Sequence, residues 1–342
     1  MNADYAKFDK LKERERKDVF EAAAGRLGTN AQSIEKDLWV CRVLDALFKG
    51  LPATPKLYFK GGTSLSKGYG LINRFSEDID IVVSRADLGI TGDADPLAEG
   101  LSGKKRAAAI EVVRRTCSKH VLETMKEGLE KLLPDCQFEA DDDDKDQQSL
   151  RVKYPTTMGK DAYLKPWVKI EGGARGAPVP EAKKAIAPYI QQELGAKFNL
   201  TCADVTLIAA ERTFWEKALI LHGIHCGFRD EKRKPGENNL ISRHYYDVAM
   251  MRDRPEGLKA VRDTELLSNV RAHKLLLFKR GWEKLEEAKP GSIRLVPQDG
   301  IKDDLAKDYK AMSGMMFGDA PDFDWVLSEI AKLEEAINKK LL

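Results

Sequence analysis

Cysteine is scarce in this chain of 342 residues, which contains five. The five lie far apart, without a Cys-x-x-Cys pair or a spacing typical of a metal site, and their odd number fits reduced thiols in the cytoplasm. No apolar run approaches the roughly 20 residues that span a bilayer, and the polar N-terminus is unlike a signal peptide. The sequence therefore predicts a cytoplasmic protein without a membrane segment.

The chain also lacks a large excess of charge of either sign. It has 57 Lys and Arg against 55 Asp and Glu, a formal net charge of +2, so its overall charge gives no reason to expect nucleic acid. Its histidines include His222, His225 and His244, which do not form the His-x-x-x-His pair with a nearby acid that a zinc site would need. Low complexity is confined to the acidic residues 141–146, which we interpret as a solvated turn rather than a metal site.

Two aspartates, Asp78 and Asp80, lie on an apolar strand predicted over residues 78–83. Side chains at positions i and i+2 of a strand point to the same face, so these carboxylates project together. Because neighbouring carboxylates repel one another, they indicate a cation between them. Mg²⁺ fits, since it binds a few carboxylates and completes its octahedron with water and substrate phosphates. The alternative is that both aspartates are surface residues of an edge strand.

Four residues that can bind phosphate precede this strand, at Gly61, Gly62, Thr63 and Ser64. Such a turn can present backbone N–H groups and hydroxyls to a triphosphate. A short strand predicted at residues 57–59 leads into the turn, and a helix predicted over residues 64–72 follows it. Strand, turn, helix and Asp-x-Asp strand together form the layout of a nucleotidyltransferase, an enzyme that binds an NTP and Mg²⁺.

Glu171 is a candidate for a third metal ligand, because two-metal phosphoryl transfer commonly uses a carboxylate from a neighbouring strand. It ends an apolar strand predicted over residues 167–171, where a lone acid facing a core would be costly. Glu171 could equally lie on the solvent face or pair with Lys169 or Arg175, and the sequence leaves these interpretations open.

Lys217 and Asp247 are candidates on two predicted helices. The i, i+4 spacing places Thr213 and Lys217 on one helix face, among aromatic neighbours that indicate partial burial. An inward ammonium would suit a triphosphate, but spacing alone favours a lysine paired with a nearby acid such as Glu216. Asp247 could orient Lys217, receive a proton or contact the nucleotide, although an ordinary acid near a helix start is favoured. Arg243 suits phosphate or RNA but could equally be a solvated charge.

The pattern predicts an α+β domain over residues 1–200 and a helical domain over residues 201–342. In the first domain we predict helices over residues 7–25, 30–48 and 104–133, and strands over residues 137–140, 150–154 and 167–171. In the second we predict a helix capped by Asp204, a loop over residues 226–240 and helices over residues 243–251 and 324–340. The basic residues of that loop could contact RNA.

Several segments carry a resemblance, at residues 34–40, 61–64, 74–80, 212–217, 221–222, 242–247, 308–312 and 316–317. In this order they resemble the AbiEii/AbiGii nucleotidyltransferase toxins. Each segment alone is unspecific, but the combination is specific and covers most of the chain.

The resemblance implies a DNA polymerase β-like nucleotidyltransferase fold of the α+β class with a helical C-terminal domain. It implies that the protein is the toxin of a toxin–antitoxin or phage-defence pair and has a cognate antitoxin as partner. It also implies that the nucleotide is transferred to the 3′ end of tRNA. By motif, Asp78 and Asp80 are implied as metal ligands, while Glu171 is less supported. Lys217 is implied as the triphosphate contact and Asp247 as the essential acid. For both residues the resemblance thus implies a functional role, whereas spacing alone favours an ordinary structural one.

The predicted reaction is in-line attack of an RNA 3′-hydroxyl on the α-phosphate of the NTP, with release of pyrophosphate. One alternative is a nucleotidyltransferase that modifies a small molecule or a protein. The other is a non-catalytic module that binds RNA or a protein partner. Because holding two like charges together is costly, the Asp-x-Asp pair argues against a module that only binds.

Overall fold

The computed structural model describes residues 1–159, 165–236 and 240–339. Within them the chain forms two compact units. The first contains Met1–Tyr69 and Phe75–Ile208, and the second contains Gly70–Arg74 and the chain from Ala209 onward. The short segment that precedes the Asp-x-Asp strand is therefore part of the second unit, whereas the strand itself is part of the first.

The first unit has a mixed α/β architecture built on a seven-stranded sheet. Its strands are β1 (Leu57–Lys60), β2 (Asp78–Val83), β3 (Gln137–Ala140), β4 (Ser149–Lys153), β5 (Trp167–Gly173), β6 (Glu181–Ile186) and β7 (Cys202–Ile208). They lie in the order β3-β4-β5-β2-β1-β7-β6. Strand β2 pairs antiparallel with β1 and parallel with β5, so it is an interior strand of the sheet. The prediction of β2 is confirmed, and the edge-strand alternative for its aspartates is wrong.

The helices of the first unit are α1 (Asp4–Asp9), α2 (Glu13–Leu27), α3 (Ala31–Asp45), α4 (Gly61–Thr63), α5 (Gly103–Lys119) and α6 (Lys126–Leu132). Wider turns extend α3 over Ala46–Gly50 and α4 over Ser64–Gly68, and His120–Met125 joins α5 to α6. Buried side chains of α3 and α5 share one hydrophobic core with the inner strands. The single helix predicted over residues 7–25 is wrong, because α1 ends at Asp9 and α2 begins at Glu13. The Glu15 carboxylate accepts a hydrogen bond from the Lys12 N–H, which stabilises this new helix start.

The start of α3 follows from its N-cap. The Asn30 side chain accepts a hydrogen bond of 2.7 Å from the Ser33 N–H, as expected of a residue that satisfies the first turn. Three consecutive charged residues of α3, Glu35, Lys36 and Asp37, are each only 2% exposed. Glu35 binds residues 156–158, Lys36 binds Glu77 and Asp37 binds Lys67. Helix α3 therefore makes buried polar contacts in addition to packing apolar side chains in the core.

The helix predicted to begin at Asp204 is wrong, because Cys202–Ile208 is strand β7. Asp204 has a positive φ of 52°, which does not fit a helix N-cap. Val205 and Leu207 are fully buried, and β7 pairs with β1 on one side and β6 on the other. A short apolar run fits a buried strand or a helix equally well, and here the pairing in the sheet decides.

The second unit is helical, with α7 (Ala210–Glu231), α8 (Ser242–Met251), α9 (Pro255–Arg262), α10 (Thr264–Leu277), α11 (Asp299–Ala311) and α12 (Phe323–Lys339). The predictions of α8 and α12 are confirmed, except that residue 340 lies outside the described residues. The loop predicted over residues 226–240 is wrong in its first part, which belongs to α7, and residues 237–239 lie outside the described residues. No helix in the described parts of the chain is long and apolar enough to cross a membrane.

Candidate active site

The Asp-x-Asp pair lies on one face of β2, between the strands that flank it. Asp78 and Asp80 are partly exposed, whereas Ile79 and Ile81 point to the other face and are fully buried. In the register with β5, Asp78 is opposite Lys169 and Asp80 is opposite Glu171. The predicted alternation is confirmed, and the three carboxylates that sequence patterns suggested lie on two neighbouring strands.

Gly61 and Asp80 are in close contact in the first unit. Gly61 has a φ of +80°, a conformation that residues with a side chain rarely adopt. A Cβ atom at this position would collide with the Asp80 carboxylate, mainly with Oδ2. The glycine therefore lets the backbone of the turn approach a carboxylate of the Asp-x-Asp pair, which links the two sequence motifs physically.

The hydroxyls of the turn are used inside the protein. Thr63 Oγ1 donates to the Asp78 carbonyl oxygen at 2.5 Å and lies 2.9 Å from Ser76 Oγ. Ser64 Oγ donates to the Gly61 carbonyl oxygen at 2.9 Å. These bonds fix the turn against β2, and both hydroxyls donate their hydrogen to a carbonyl oxygen of the protein. The groups that the turn can offer to phosphate are its backbone N–H groups, since the first N–H groups of a helix have no intrahelical partner.

Negative charge accumulates at the start of β2. Burial, together with the carboxylates of Glu171, Glu77 and Asp80, raises the pKa of Asp78 to about 7. Glu77 is neutralised by an ion pair with the buried Lys36, and Glu171 by Lys169 at 2.6 Å. Of these four carboxylates, Asp78 and Asp80 form no ion pair with a lysine or arginine in the described parts of the chain.

Two oxygen ligands of this kind fit a Mg²⁺ ion, which needs only one or two carboxylates besides phosphate and water. Among the described residues, no group of three or more His, Cys, Asp or Glu side chains is arranged to hold a metal ion. Glu171, the predicted third ligand, directs its carboxylate to Lys169. The donor set that fits the ion is thus the pair Asp78 and Asp80.

Lys217 and Asp247 are brought together in the second unit. The Lys217 ammonium lies 2.9 Å from the Asp247 carboxylate, which is fully buried. Arg74 donates two hydrogen bonds to the same carboxylate, at 2.7 and 2.8 Å. His244 Nδ1 lies 3.4 Å from Lys217 Nζ. The acid that pairs with Lys217 is therefore Asp247, whereas Glu216, the nearby acid that the spacing favours, contacts Arg212 instead.

This cluster has more positive than negative charge. Burial alone would raise the pKa of Asp247, but Arg74 and Lys217 outweigh it and hold that pKa below the usual range. Burial lowers the pKa of Lys217, as does the charge of Arg74, against the opposing effect of Asp247. Burial also lowers the pKa of His244 well below its usual value, with Lys217 adding to the shift, so the imidazole is neutral. The two buried cations Arg74 and Lys217 share the single carboxylate of Asp247. The remaining positive charge favours the binding of an anion.

Two of the basic residues at and beyond the end of α7 are paired with acids of the same unit, whereas Lys232 and Arg233 lie over the rings of Phe228 and Trp282. Arg229 binds Asp230 and Glu287, and Lys234 binds Asp304 at 2.8 Å. Their charges are therefore partly compensated, which weakens the idea that this segment is a dedicated RNA contact.

The patterns in the sequence give no role to Arg74, His244 or Lys36. Arg74 and His244 lie inside segments that carry the family resemblance. Their position is therefore a hint that they matter, but it gives no chemical role to either side chain. Lys36 and its acid Glu77 are 41 residues apart, and no local spacing pairs them.

A family model and a solved structure match this chain. The family model of the nucleotidyl transferase AbiEii toxin, of the type IV toxin–antitoxin system, matches residues 42–329, which is most of the chain. No curated protein matches the chain. Among solved structures, the chain is similar to MenT4, a nucleotidyltransferase toxin from Mycobacterium tuberculosis H37Rv. The two are 16% identical, the similarity covers 96% of this chain and 99% of that one, and the TM-score is 0.45.

Proposed function

This chain belongs to the AbiEii family of nucleotidyltransferase toxins of type IV toxin–antitoxin systems, and we propose that it transfers NMP from an NTP to the 3′ acceptor end of tRNA. Modification of that end would prevent aminoacylation and block translation. The enzyme is a nucleotidyltransferase, and a cognate antitoxin is its expected partner. We assign the first unit to the DNA polymerase β-like nucleotidyltransferase fold, with β1, the glycine turn and β2 as its centre.

One observation supports this proposal above the others, the fit of the Gly61 backbone against the Asp80 carboxylate. It brings a turn with phosphate-binding N–H groups next to two carboxylates that suit a divalent ion. A protein that only binds a partner would have no need to hold these charges beside such a turn.

Asp78 and Asp80 would hold Mg²⁺, which neutralises charge on the reacting phosphate and its leaving group when bound. In the proposed reaction, the N–H groups of Gly61 and Gly62 hold the phosphates of the NTP. The hydrogen bond from Thr63 to the Asp78 carbonyl oxygen keeps the turn and β2 in a fixed geometry. Positioning of this kind contributes a large part of catalysis in phosphoryl transfer, because the protein has little covalent chemistry to perform.

We further propose that Lys217 contacts the triphosphate and that Asp247 orients its ammonium. Asp247 is fully buried and bound by two cations, so a role as a proton acceptor from substrate is disfavoured by its surroundings. Arg243, which is partly exposed at the start of α8, adds positive charge near Lys217 and is a candidate for a second phosphate contact.

The test is label transfer from an NTP to RNA. The purified protein is incubated with Mg²⁺, total tRNA and each α-labelled NTP in turn. We expect label on tRNA with at least one NTP, sensitive to EDTA and confined to the 3′ end by nuclease mapping. Asp80→Asn should remove the label, and Asp142→Asn, which changes an exposed acid of the β3–β4 turn, should not.

The outcomes separate the candidate acceptors. Label that stays on the protein, or on a small molecule without RNA, would replace tRNA by that acceptor and keep the chemistry. No EDTA-sensitive transfer to any acceptor, or full transfer by Asp80→Asn, would overturn the proposed site.

A further inference from the structure

Four charged side chains form two rows across strands β2 and β5. Asp78 is opposite Lys169, and Asp80 is opposite Glu171. Opposite residues of neighbouring strands share a face of the sheet, so one lysine stands among the three acids that sequence reasoning assigned to metal.

The Lys169 ammonium is held from two sides. It lies 2.6 Å from the Glu171 carboxylate and 3.0 Å from the Asp141 carboxylate. The Asp141 side chain is only 4% exposed and is also bound by Arg151. Because Asp141 is itself fixed, the lysine is anchored at this position rather than free in solvent.

A divalent ion on Glu171 would have to share that carboxylate with Lys169. Two cations in contact with one carboxylate repel one another, and the buried partner Asp141 keeps the ammonium in place. Asp78 and Asp80, by contrast, have no ion pair with a lysine or arginine among the contacts that the described residues show. On this face Lys169 is thus already bound by two carboxylates, whereas Asp78 and Asp80 form no ion pair in the described parts of the chain, although Lys60 of β1 is opposite Asp80 in the register.

We propose that Lys169 takes the place of a second metal ion, so that Asp78 and Asp80 hold one divalent cation and Glu171 holds none. Lys169 is then a positioning residue that keeps Glu171 out of the ligand set and supplies fixed positive charge beside the metal. This inference rests on the metal site in the proposed function, and it sets the stoichiometry of that site.

The test counts Mn²⁺ ions bound to the protein without nucleotide, by electron paramagnetic resonance of the free ion during titration. We expect one tight ion per wild-type chain and two per chain of Lys169→Met, which removes the charge and leaves three carboxylates. Lys169→Arg should bind one. Lys153→Met is the matched control, since Lys153 forms a similar ion pair with Glu139 on the neighbouring strands β4 and β3 and should leave one ion bound.

Glu171→Gln gives an independent readout that does not depend on the folding of Lys169→Met. We expect its Mn²⁺ affinity to stay within a factor of two of the wild type, whereas loss of a true ligand would weaken binding tenfold or more. Two ions on the wild type, one ion on a folded Lys169→Met, or a tenfold loss in Glu171→Gln would each overturn the inference. Absence of any bound ion on the wild type would overturn the metal site of the proposed function as well.

Discussion

Arg74 and Asp247 are 173 residues apart in the chain and form a buried ion pair with two hydrogen bonds of 2.7 and 2.8 Å. Both partners are almost fully buried, and Lys217 binds the same carboxylate. This pair fixes the short segment Gly70–Arg74 within the helical unit, immediately before the chain enters the residues that lead to β2.

The ion pair predicts a large loss of stability in Asp247→Asn. The amide has nearly the same shape but leaves Arg74 and Lys217 without a compensating charge, and breaking a buried pair in this way costs about 3–5 kcal/mol. Urea unfolding at pH 7 measures the loss. The control is Asp304→Asn, whose partner Lys234 is exposed and whose loss should cost at most about 1 kcal/mol. Equal effects of the two variants would contradict a structural role for Asp247.

The same pair predicts the acid dependence of stability. The folded pKa of Asp247 is below its usual value, so the carboxylate stabilises the fold above the unfolded pKa of about 4. That contribution is lost as the pH falls from this value towards the folded pKa. The difference in unfolding free energy between wild type and Asp247→Asn should therefore be constant from pH 7 to about pH 5 and shrink below about pH 4. A difference that already shrinks between pH 7 and pH 5 would contradict this assignment.

The contact between Gly61 and Asp80 predicts that Gly61→Ala inactivates a folded enzyme. A methyl group would displace the carboxylate, and a misplacement of about 1 Å in a catalytic group can cost about 100-fold in rate. Gly89→Ala is the matched control, because Gly89 has nearly the same φ, +79°, and open space around its Cα. It carries the same backbone strain without the collision. Transfer rates and melting temperatures of both variants separate the two effects.

Local patterns in the sequence predict the strand and the turn that form the candidate site. Strand β2 begins and ends where the alternation predicts, and the Gly-Gly-Thr-Ser motif predicts the turn at Gly61. Both features depend on neighbours along the chain, because a strand repeats every two residues and a tight turn needs glycine.

The remaining features depend on residues far apart in the chain. The sequence predicts a helix where β7 lies, because its apolar run fits both structures until its pairing with β1 is known. The Arg74–Asp247 pair joins segments 173 residues apart, and no spacing rule reaches that far. Lys169 and Glu171 are close in sequence, but only the register between β2 and β5 reveals that their ion pair stands beside Asp78.

The Asp-x-Asp pair predicts that Mg²⁺ stabilises the wild type and not Asp78→Asn. A ligand that binds only the folded state adds RT ln(1 + [L]/Kd), which is about 1.4 kcal/mol at ten times the Kd. Thermal melts with increasing MgCl₂, reversed by EDTA, measure this effect. Asp142→Asn should respond as the wild type does. A full response of Asp78→Asn would remove Asp78 from the metal site.

The surplus positive charge around Lys217 predicts that Lys217→Met weakens NTP binding more than turnover. The variant keeps the length of the side chain but loses the charge, so KM for the NTP should rise about tenfold or more while kcat changes less. Lys217→Arg should not rescue it, because the larger planar guanidinium does not match a buried ammonium 2.9 Å from Asp247. Lys234→Met, an exposed lysine of the same unit, is the control and should keep the wild-type KM. If Lys217→Met left KM unchanged and lowered only the free energy of unfolding, the lysine would serve the buried cluster alone, and the triphosphate contact would have to be sought at Arg243 or in the glycine turn.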